Sequence, residues 1–426
     1  MTQRTVRTVL TALATTAAVG VPGSAPAYAA ESAAPGHGHV HGHAHGHAAT
    51  QEALRRLVDV AGLPGVAAEV RDGGQRWFGS AGVADTGTGR ARSADDRFRA
   101  ASITKPFIAT VLLQLEAERR LRLDDTVETW LPGLVRGRGN DGRTIMLRQL
   151  LHHTSGLPDF TEDPDFRTNS SGSRFPEHRY DNHTPQELVA IAMTYPPTSA
   201  PGTRARYSNT NFVLAGLVIE KVTGRSYARE VTRRVIEPLK LRGTSFPGSR
   251  ATMPDPHPVA YTRLHDPAPD APVHDATEQN MTWLGAAGDM ISTLGDLNRF
   301  HRALLGGALL PRAQMTELLS EVPAGEGVGF GLGVETAVLS CGVQVVGKTG
   351  RTNGSMSFSL GTRDGGHQLT LNMNGDWLTD ETLYVNVIEA EFCGKAPASA
   401  PAPALAPASA PAGQRPDLRL PAALFG

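Results

Sequence analysis

The sequence predicts an α+β fold in which one antiparallel sheet, flanked by helices, is built from the N- and C-terminal parts of the chain. Short strand-like runs separated by tight turns occur within residues 66–83 and again within 342–373. Between these two regions the chain is mainly helix and loop. Strands at both ends with helices between them indicate a shared sheet and an inserted, mainly helical domain.

Local patterns place the elements in order along the chain. A first helix precedes a β-hairpin whose turn is Asp72-Gly73-Gly74, and Asn353-Gly354 separates two of the later strands. Helices are predicted at residues 51–61, 185–193, 211–222, 227–236 and 294–305, with a last one that ends near 392. Strands are predicted at residues 66–71, 75–83, 342–347, 355–360 and 368–373.

The composition is that of a globular protein with a large core. Of the 426 residues, 40% are hydrophobic and 19% are charged. The formal net charge is −1, so the chain has no long-range field that would attract nucleic acid or an anionic membrane surface. We therefore expect no nucleic-acid partner.

Residues 1–29 have the features of a secretory signal peptide. Arg4 and Arg7 form a basic start, residues 9–21 are apolar and small, and residues 27–29 are Ala-Tyr-Ala, an A-x-A cleavage site. The apolar stretch is short for a membrane anchor. We expect cleavage at the end of this segment, a secreted protein, and no membrane insertion afterwards.

Two low-complexity segments flank the region that is expected to fold. Residues 30–50 contain six histidines that alternate with small residues, and such a tract should be disordered. It could bind divalent metal ions loosely or be a solvated linker, and the sequence favours neither. We expect no catalytic metal there, because nothing fixes a coordination geometry. Residues 395–426 are rich in Pro and Ala, which predicts a disordered or processed tail.

The main functional signal is a serine and a lysine three residues apart, Ser102 and Lys105. Apolar residues recur at helical spacing from Phe107 to Leu115, which predicts a helix that begins at the serine and buries one face. Side chains three residues apart lie on the same side of a helix. A neutral lysine amine in that position could take the serine proton and make the serine a nucleophile.

The scarcity of lysine supports this interpretation over an ordinary helix-surface lysine. The chain has 41 basic residues, and only Lys105, Lys221, Lys240, Lys348 and Lys395 are lysines. Arginine does not deprotonate in proteins and cannot act as a base. A lysine in so arginine-biased a chain indicates a position where arginine would not serve.

Two further motifs carry groups that would complete such a site. Tyr207 could act as a proton relay if a cation lowers its pKa, and Asn209 could hold both the lysine and a substrate carbonyl. Lys348-Thr349-Gly350 follows an apolar strand. There the glycine would let a substrate backbone approach closely, and the lysine would add positive charge.

The chain has two cysteines, Cys341 and Cys393. In an oxidising compartment an even pair is most simply a disulfide. This one would close a loop of 52 residues. In the loop-entropy treatment such a bond stabilises the fold by at most about 4 kcal/mol.

The order S-x-x-K, Y-x-N and K-T-G resembles that of the penicillin-recognising serine hydrolases, in particular secreted D-alanyl-D-alanine carboxypeptidases and class C β-lactamases. The surrounding residues 98–101, 150–157 and 285–293 are also similar to the family. The resemblance implies a β-lactamase/transpeptidase-like fold. The serine hydrolase domain would span residues 51–394, with its sheet part at 51–105 and 290–394 and its helical part at 106–289.

The resemblance also implies roles for single residues. Ser102 would be the acylated nucleophile, Lys105 its proton partner, and Tyr207 the group that shuttles protons. The implied substrate-binding residues are Asn209, Trp283, Lys348, Thr349, Gly350 and Arg351. Backbone N–H groups of Ser102 and Arg351 would form the oxyanion hole, and neither a cofactor nor a metal is implied.

The activity that we expect is that of a secreted serine D,D-carboxypeptidase. It would cleave D-alanyl-D-alanine peptides such as peptidoglycan precursors through an acyl-enzyme, and penicillins would inhibit it. The alternatives are a class C-like β-lactamase, or an esterase or D-amino-acid peptidase of the same fold. Esterases of this kind often lose K-T-G, which weighs against them. An inactive sensor or metal-carrying protein is favoured only by the histidine tract.

Two departures from the family pattern concern the substrate. Carboxypeptidases of this kind often have His-Thr-Gly, whereas this chain has the lysine form that is typical of class C β-lactamases. Some carboxypeptidases also place an arginine for the terminal carboxylate shortly before the disulfide cysteine, and residues 334–337 contain none. The adjacent pair His152-His153 favours a hydrogen bond that fixes a loop over a metal site, since no H-E-x-x-H occurs. The chain also lacks the G-x-S-x-G of α/β-hydrolases.

Overall fold

The computed structural model describes residues 46–395 except 267, 269 and 326. The strands of its main sheet are β1 Gly65–Asp72, β2 Gln75–Gly82, β3 Val322–Gly325, β4 Val328–Phe330, β5 Glu335–Val338, β6 Gln344–Thr352, β7 Ser355–Thr362 and β8 His367–Met373. Their order across the antiparallel sheet is β2-β1-β8-β7-β6-β5-β4-β3. Both ends of the chain thus build one sheet, which confirms the predicted α+β architecture.

Strand β1 joins the two ends of the chain. It pairs with β2 in the hairpin and with β8 in a register that places Val66 opposite Met373. Its side chains alternate between two cores, because Val66 and Ala68 lie in one and Ala67 lies in the other. The sheet is therefore covered by helices on both faces.

The helices of the described chain are α1 Ala48–Asp59, α2 Thr104–Ala117, α3 Val127–Trp130, α4 Leu147–Leu151, α5 Pro164–Ser170, α6 Phe175–His178, α7 Pro185–Ala192, α8 Asn209–Thr223, α9 Tyr227–Val231, α10 Glu237–Leu239, α11 Leu294–Leu305, α12 Arg312–Leu318 and α13 Thr382–Cys393. Helices α1 and α13 share a core with one face of the sheet, and α2, α8 and α11 share a core with the other. No helix in this part of the chain is long and apolar enough to cross a membrane.

Helix α2 is buried on all sides, whereas the spacing of its apolar residues predicted one buried face. Every residue from Thr104 to Leu113 is buried, including the polar Lys105 and Thr110. The helix also begins two residues later than predicted, because Ala101–Ile103 forms a 3₁₀ turn that contains the serine. The difference arises because α2 lies between the sheet and the inserted helices, so it has no solvent-facing side.

Two other boundaries differ from the sequence prediction. Strand β6 runs to Thr352 rather than ending at Gly347, so Lys348-Thr349-Gly350 lies within the strand and not after it. The helix predicted at residues 227–236 is α9 followed by a π-helical turn, Thr232–Ile236. Neither difference has a distinctive periodicity in the sequence. The first involves polar residues in a strand that is covered on both faces, and the second a shifted hydrogen-bond pattern within a helix.

The predicted linker at residues 30–50 is wrong for its last residues, because α1 begins at Ala48. His47 precedes the helix, stacks on Trp77 with ring centroids 4.6 Å apart, and binds Glu391 of α13 at 3.0 Å. These contacts order the end of the histidine tract. The rest of the tract, the signal peptide at 1–29 and all of the predicted tail except Lys395 lie outside the described residues.

Cys341 and Cys393 are bonded, as predicted, with Cα atoms 5.8 Å apart. The bond joins the turn before β6 to the last residue of α13. It therefore links the strand that carries Lys348 to the helix that covers the sheet.

Candidate active site

The turn that carries Ser102 is held between two glycines. Ala101 has φ 47°, in the left-handed region, which costs a non-glycine residue roughly 1–2 kcal/mol. A Cβ on Gly288 would lie 3.3 Å from the carbonyl carbon of Ala101, and a Cβ on Gly350 would lie 2.2 Å from the carbonyl oxygen of Ala100. Because both glycines lack a side chain, the neighbouring segments can hold this strained turn in place.

Ser102 lies within hydrogen-bonding distance of both Lys105 and Tyr207. Lys105 Nζ lies 2.9 Å from Ser102 Oγ, and Tyr207 OH lies 2.7 Å from the same oxygen. The structure thus brings together the three residues that the sequence predicted to be catalytic, although Tyr207 is more than a hundred residues away in the chain.

The surroundings of Lys105 favour a neutral amine. Besides Ser102 Oγ, its Nζ contacts Asn209 Oδ1 at 2.9 Å and the carbonyl oxygen of Ala287 at 2.8 Å. Both of these oxygens can only accept, so they take two N–H donors. A neutral amine then has its lone pair available for the Ser102 hydroxyl proton. Burial, together with the positive charge of Lys348, holds the pKa of Lys105 well below its usual range.

Asp159 determines how Asn209 is oriented. Its carboxylate accepts hydrogen bonds from the Asn209 backbone N–H at 3.0 Å and from Nδ2 at 2.9 Å. Because a carboxylate accepts and does not donate, Nδ2 must face Asp159 and Oδ1 must face Lys105. Asp159 is buried, and it lies in the loop after α4, which packs on the start of α8. Sequence analysis missed this residue.

Tyr207 lies between the two lysines of the site. Lys105 Nζ is 4.8 Å from the centroid of its ring and Lys348 Nζ is 5.1 Å from it. The condition for a proton relay, a cation that lowers the pKa of this phenol, is not met, because burial raises its pKa well above the usual range. Tyr207 is therefore a neutral donor to Ser102 Oγ, and it can protonate a departing group rather than act as the resting base.

His153 packs against the ring of Tyr207. Its ring stacks on Tyr207 with centroids 4.4 Å apart, and its Nδ1 accepts from the Ser208 backbone N–H at 3.2 Å. Burial and the two lysines hold the pKa of His153 well below its usual range, so the ring is neutral. The predicted loop-fixing hydrogen bond is confirmed. Its neighbour His152 points elsewhere and binds the carbonyl oxygen of Ser320.

Lys348 is paired with a buried carboxylate that sequence analysis missed, Glu335 of β5. The Lys348 ammonium donates to Glu335 Oε1, and the backbone N–H of Thr349 donates to Oε2 at 3.1 Å. Both side chains of the pair are at most 4% exposed. Register explains the contact, because Glu335 lies opposite Gly347 across the β5–β6 pair. Lys348 thus enters the site with its charge compensated.

Gly350 and Arg351 contact other parts of the chain. The close approach at Gly350 is made by the chain's own Ala100 carbonyl, and an approach by a substrate backbone stays a prediction. The guanidinium of Arg351 is exposed and donates to the carbonyl oxygen of Asp376 at 2.7 Å. A substrate contact by this side chain and an oxyanion hole at its backbone N–H both stay predictions.

Trp283 lies at the end of a 3₁₀ turn, Met281–Trp283, one turn before Ala287. It is half-buried, and its ring centroid is 6.4 Å from that of Phe166 in α5. These two rings line a small cavity together with Asn169 and His183. The structure therefore places Trp283 beside a small cavity of the helical part, and its implied contact with substrate stays a prediction.

The profile of the family described as Beta-lactamase matches residues 50–377 of the chain. The chain belongs to this family. The resemblance to penicillin-recognising serine hydrolases is therefore confirmed, and the protein is a serine hydrolase of the β-lactamase fold. Penicillin-binding protein 4 of Amycolatopsis lactamdurans is 30% identical over 282 residues, which are 64% of this chain and 67% of that protein.

Other members of the family show how far the similarity extends. Protein flp of Staphylococcus aureus strain MW2 is 31% identical over 154 residues, which are 36% of this chain but only 29% of that protein. The D-stereospecific amidohydrolase from Streptomyces sp. is 53% identical, with a TM-score of 0.77 and coverage of 82% of this chain and 99% of that one.

Another similar structure is the D-amino acid amidase from Ochrobactrum anthropi SV3. Its complex with L-phenylalanine amide matches with 29% identity and a TM-score of 0.69, covering 80% of this chain and 97% of that chain. The chain is thus similar over most of its length to a D-stereospecific amidohydrolase and to a D-amino acid amidase.

Proposed function

We propose that this protein is a D-stereospecific serine amidohydrolase, which cleaves the amide or short peptide bond that follows a D-residue. Ser102 Oγ attacks the carbonyl carbon and its proton passes to Lys105 Nζ. The C–N bond then breaks, and the departing amine takes a proton from Tyr207 or Lys105. Water hydrolyses the resulting ester on Ser102. The sequence predicts a D,D-carboxypeptidase, with a D-amino-acid peptidase of the same fold among the alternatives.

The observation that carries this proposal is the buried ion pair between Lys348 and Glu335. A carboxypeptidase must hold a terminal carboxylate next to the scissile bond, and that requires a cation whose charge is available. The Lys348 ammonium already donates to Glu335. A neutral leaving group, such as ammonia or the amine of a blocked peptide, needs no such cation.

Similarity supports the same choice of substrate. The amidohydrolase from Streptomyces sp. is 53% identical and 99% covered, a much closer match than the 30% and 67% of the penicillin-binding protein. The Trp283 and Phe166 rings line a cavity of the helical part, and we propose that these rings receive the side chain of a D-residue.

The D,D-carboxypeptidase remains the second candidate because of Arg351. Its guanidinium is exposed and binds only a neutral carbonyl oxygen among the described residues, so its charge is not compensated there. This residue directly follows Gly350, which packs on the nucleophile turn. A terminal carboxylate that reached Arg351 would be held without the help of Lys348.

We also propose that the protein is exported. The support is the signal-like segment at residues 1–29 and the bond between Cys341 and Cys393, which suits an oxidising compartment. Expression of the full chain in a secreting bacterial host, followed by mass measurement of the product in the medium, tests this. A product that begins after Ala29 is expected, and full-length protein retained in the cytoplasm would contradict it.

A substrate panel distinguishes the two candidate activities. The panel comprises D-phenylalanine amide, L-phenylalanine amide, a diacyl-lysyl-D-alanyl-D-alanine peptide and benzylpenicillin, each with wild-type protein and Ser102→Ala. Turnover of the D-amide, with little of the L-amide and little D-alanine release, is the expected result. With benzylpenicillin, intact-mass analysis should show one adduct. A digest should place that adduct on the peptide that contains Ser102.

The other outcomes are equally clear. D-alanine release that exceeds amide hydrolysis would establish the carboxypeptidase. A penicilloyl adduct lost within about a second, the range of ordinary kcat values, with no amide hydrolysis would establish a β-lactamase. Equal rates on the D- and L-amides would reject stereospecificity, and turnover by Ser102→Ala would reject the nucleophile itself.

A further inference from the structure

Residues 285–292, here called the strap, run beside the segment that carries the nucleophile. The Ala100 N–H donates to the carbonyl oxygen of Met290 at 2.8 Å, and the Met290 N–H donates to Thr104 Oγ1 at 3.2 Å. Lys105 Nζ donates to the carbonyl oxygen of Ala287 at 2.8 Å. The strap therefore holds both the start of α2 and the amine that would activate Ser102.

The strap is packed tightly on its other side. A Cβ on Gly216 of α8 would lie 2.5 Å from the Cβ of Ala286, so only glycine permits this approach. Asp289, which is 3% exposed, lies between Ala287 and Met290. Its Oδ2 accepts from the hydroxyl of Tyr227, the first residue of α9, at 2.5 Å. Its Oδ1 is buried and has no hydrogen-bond partner in the described part of the chain.

We propose that Asp289 and Tyr227 are positioning residues, which hold the strap so that the Ala287 carbonyl meets the amine of Lys105. Neither side chain contacts Ser102 or Lys105. Their hydrogen bond ties the strap to α9 at the residue between its two contacts with the nucleophile segment. The proposal concerns activation of the serine, and it holds whichever acyl donor the enzyme uses.

The charge state of Asp289 is part of this arrangement. Burial raises the pKa of its carboxyl from the usual 3.8 to about 7, although the Tyr227 hydroxyl and the Arg99 guanidinium act to lower it. Burial also raises the pKa of Tyr227, next to Asp289 and Glu220, so the phenol stays neutral. Below about pH 7 the strap thus holds a neutral acid. Above it, the strap holds a buried carboxylate with one unpartnered oxygen.

The sign of the linkage follows from these values. Between about pH 4 and pH 7 the folded state keeps a proton that the unfolded state has lost, so this group's contribution to stability falls as the pH rises through that range. Asp289→Asn keeps an oxygen acceptor for Tyr227 and cannot ionise. Asp289→Leu has a similar size but offers no acceptor, which leaves the Tyr227 hydroxyl buried and unpaired.

The experiment measures the rate at which a fluorophosphonate probe labels Ser102 between pH 5 and 9, by intact mass. This probe needs only an activated serine, so its result is independent of the proposed substrate. Asp289→Leu should label roughly 10–100-fold more slowly than wild type, because the Tyr227 hydroxyl loses its acceptor and the strap loses its link to α9. Asp289→Asn should match wild type below pH 7 and exceed it above, because it lacks the buried charge.

Asp296→Asn is the matched control. Asp296 is another buried acid whose pKa burial raises, but it binds Gly243 and Thr244 and meets the strap only through the Thr244 hydroxyl, which contacts Ser292 at the far end from Ala287. It should change thermal stability without changing the labelling profile. If Asp289→Leu does not fold, Tyr227→Phe replaces it with the same expected loss. A folded Asp289→Leu or Tyr227→Phe that labels at the wild-type rate, or an Asp289→Asn profile that coincides with wild type at every pH, overturns the proposal.

Discussion

The two buried lysines of the site differ in what surrounds them: one contacts only uncharged oxygens, and the other contacts a carboxylate. Lys105 contacts a hydroxyl, an amide oxygen and a backbone carbonyl, all uncharged. Lys348 contacts the carboxylate of Glu335. Both amines lie about equally far from the ring of Tyr207, at 4.8 and 5.1 Å, so position relative to the tyrosine does not separate them.

This difference assigns different chemistry to the same side chain. Without a carboxylate in contact, burial makes a charged Lys105 costly, and the amine becomes a base. Lys348 is paired with a buried carboxylate, which balances its positive charge. Its field also helps to lower the pKa of Lys105. One lysine thus accepts the proton, and the other provides a compensated charge that keeps the first one neutral.

The largest effect is expected for Lys105→Arg. Arginine cannot deprotonate, so Ser102 would lose its base while the positive charge remains. We expect acylation by the fluorophosphonate probe, and turnover of any substrate, to fall by about 10³-fold or more. The measurement is the labelling rate by intact mass, with circular dichroism to establish that the variant is folded.

Lys348→Arg is the matched control for this substitution. It keeps a cation for Glu335 and leaves Lys105 in place, so the labelling rate should fall by no more than about tenfold. Lys105→Met, which lacks both charge and basicity, should be as inactive as Lys105→Arg. Near-normal labelling of either Lys105 variant would mean that the amine acts only through its charge or not at all.

The second effect concerns the leaving group. Glu335→Gln removes the carboxylate that compensates Lys348, so the terminal carboxylate of a substrate can take its place beside the ammonium. The ratio of D-alanine release to D-phenylalanine amide hydrolysis should then rise roughly tenfold, which corresponds to about 1.4 kcal/mol. Glu321→Gln is the control, because Glu321 binds Thr336 of the same strand and not Lys348. An unchanged ratio in Glu335→Gln would show that compensation of Lys348 does not select the substrate.

The same variant should shift the pH dependence of acylation. Glu335 acts to raise the pKa of Lys105, while Lys348 acts to lower it. Without Glu335 the pKa of Lys105 falls further, and the amine is neutral at lower pH. The acid limb of the labelling rate should therefore move to lower pH. A shift to higher pH would contradict the proposed roles of the two lysines.

Much of the sheet could be predicted because its signals are local. The hairpin turn Asp72-Gly73-Gly74 and the strands at its sides are properties of short segments, and the structure has them within one residue. For β6 the sequence predicts an end at Gly347, whereas the strand continues through the polar Lys348 and Thr349 to Thr352. Only the neighbouring strand, with a carboxylate at the matching register position, lets these residues lie inside a buried sheet.

The candidate site shows the same limit. Ser102 and Lys105 follow from spacing within one helical turn, and Tyr207, Asn209 and Lys348 follow from short motifs. Asp159 and Glu335 belong to no such motif in the sequence, where they are two among 42 acidic residues. Their importance lies in contacts across 50 and 13 residues of chain. The long-range geometry of the fold, and not local pattern, selects them.

The smallest effect on activity is expected from removing the disulfide with Cys341→Ser and Cys393→Ser. The bond anchors the turn before β6, the strand that carries Lys348, and has no contact with Lys105. Ser340 also binds Glu389 of α13, through its backbone N–H at 2.9 Å and through its hydroxyl. These hydrogen bonds should keep the turn in place in the folded state.

We therefore expect the double variant to lose stability but little activity. Its free energy of unfolding should fall by up to about 4 kcal/mol, because a 52-residue loop is no longer closed in the unfolded chain. Its labelling rate should stay within about twofold of wild type, and the acid limb of that rate should lie at the same pH, because the surroundings of Lys105 are unchanged. Denaturant unfolding and probe labelling measure the two quantities separately. A changed ratio of D-alanine release to amide hydrolysis with normal labelling would place the disulfide's influence at Lys348 alone, whereas slower labelling would show that the two lysines are mechanically coupled through β6.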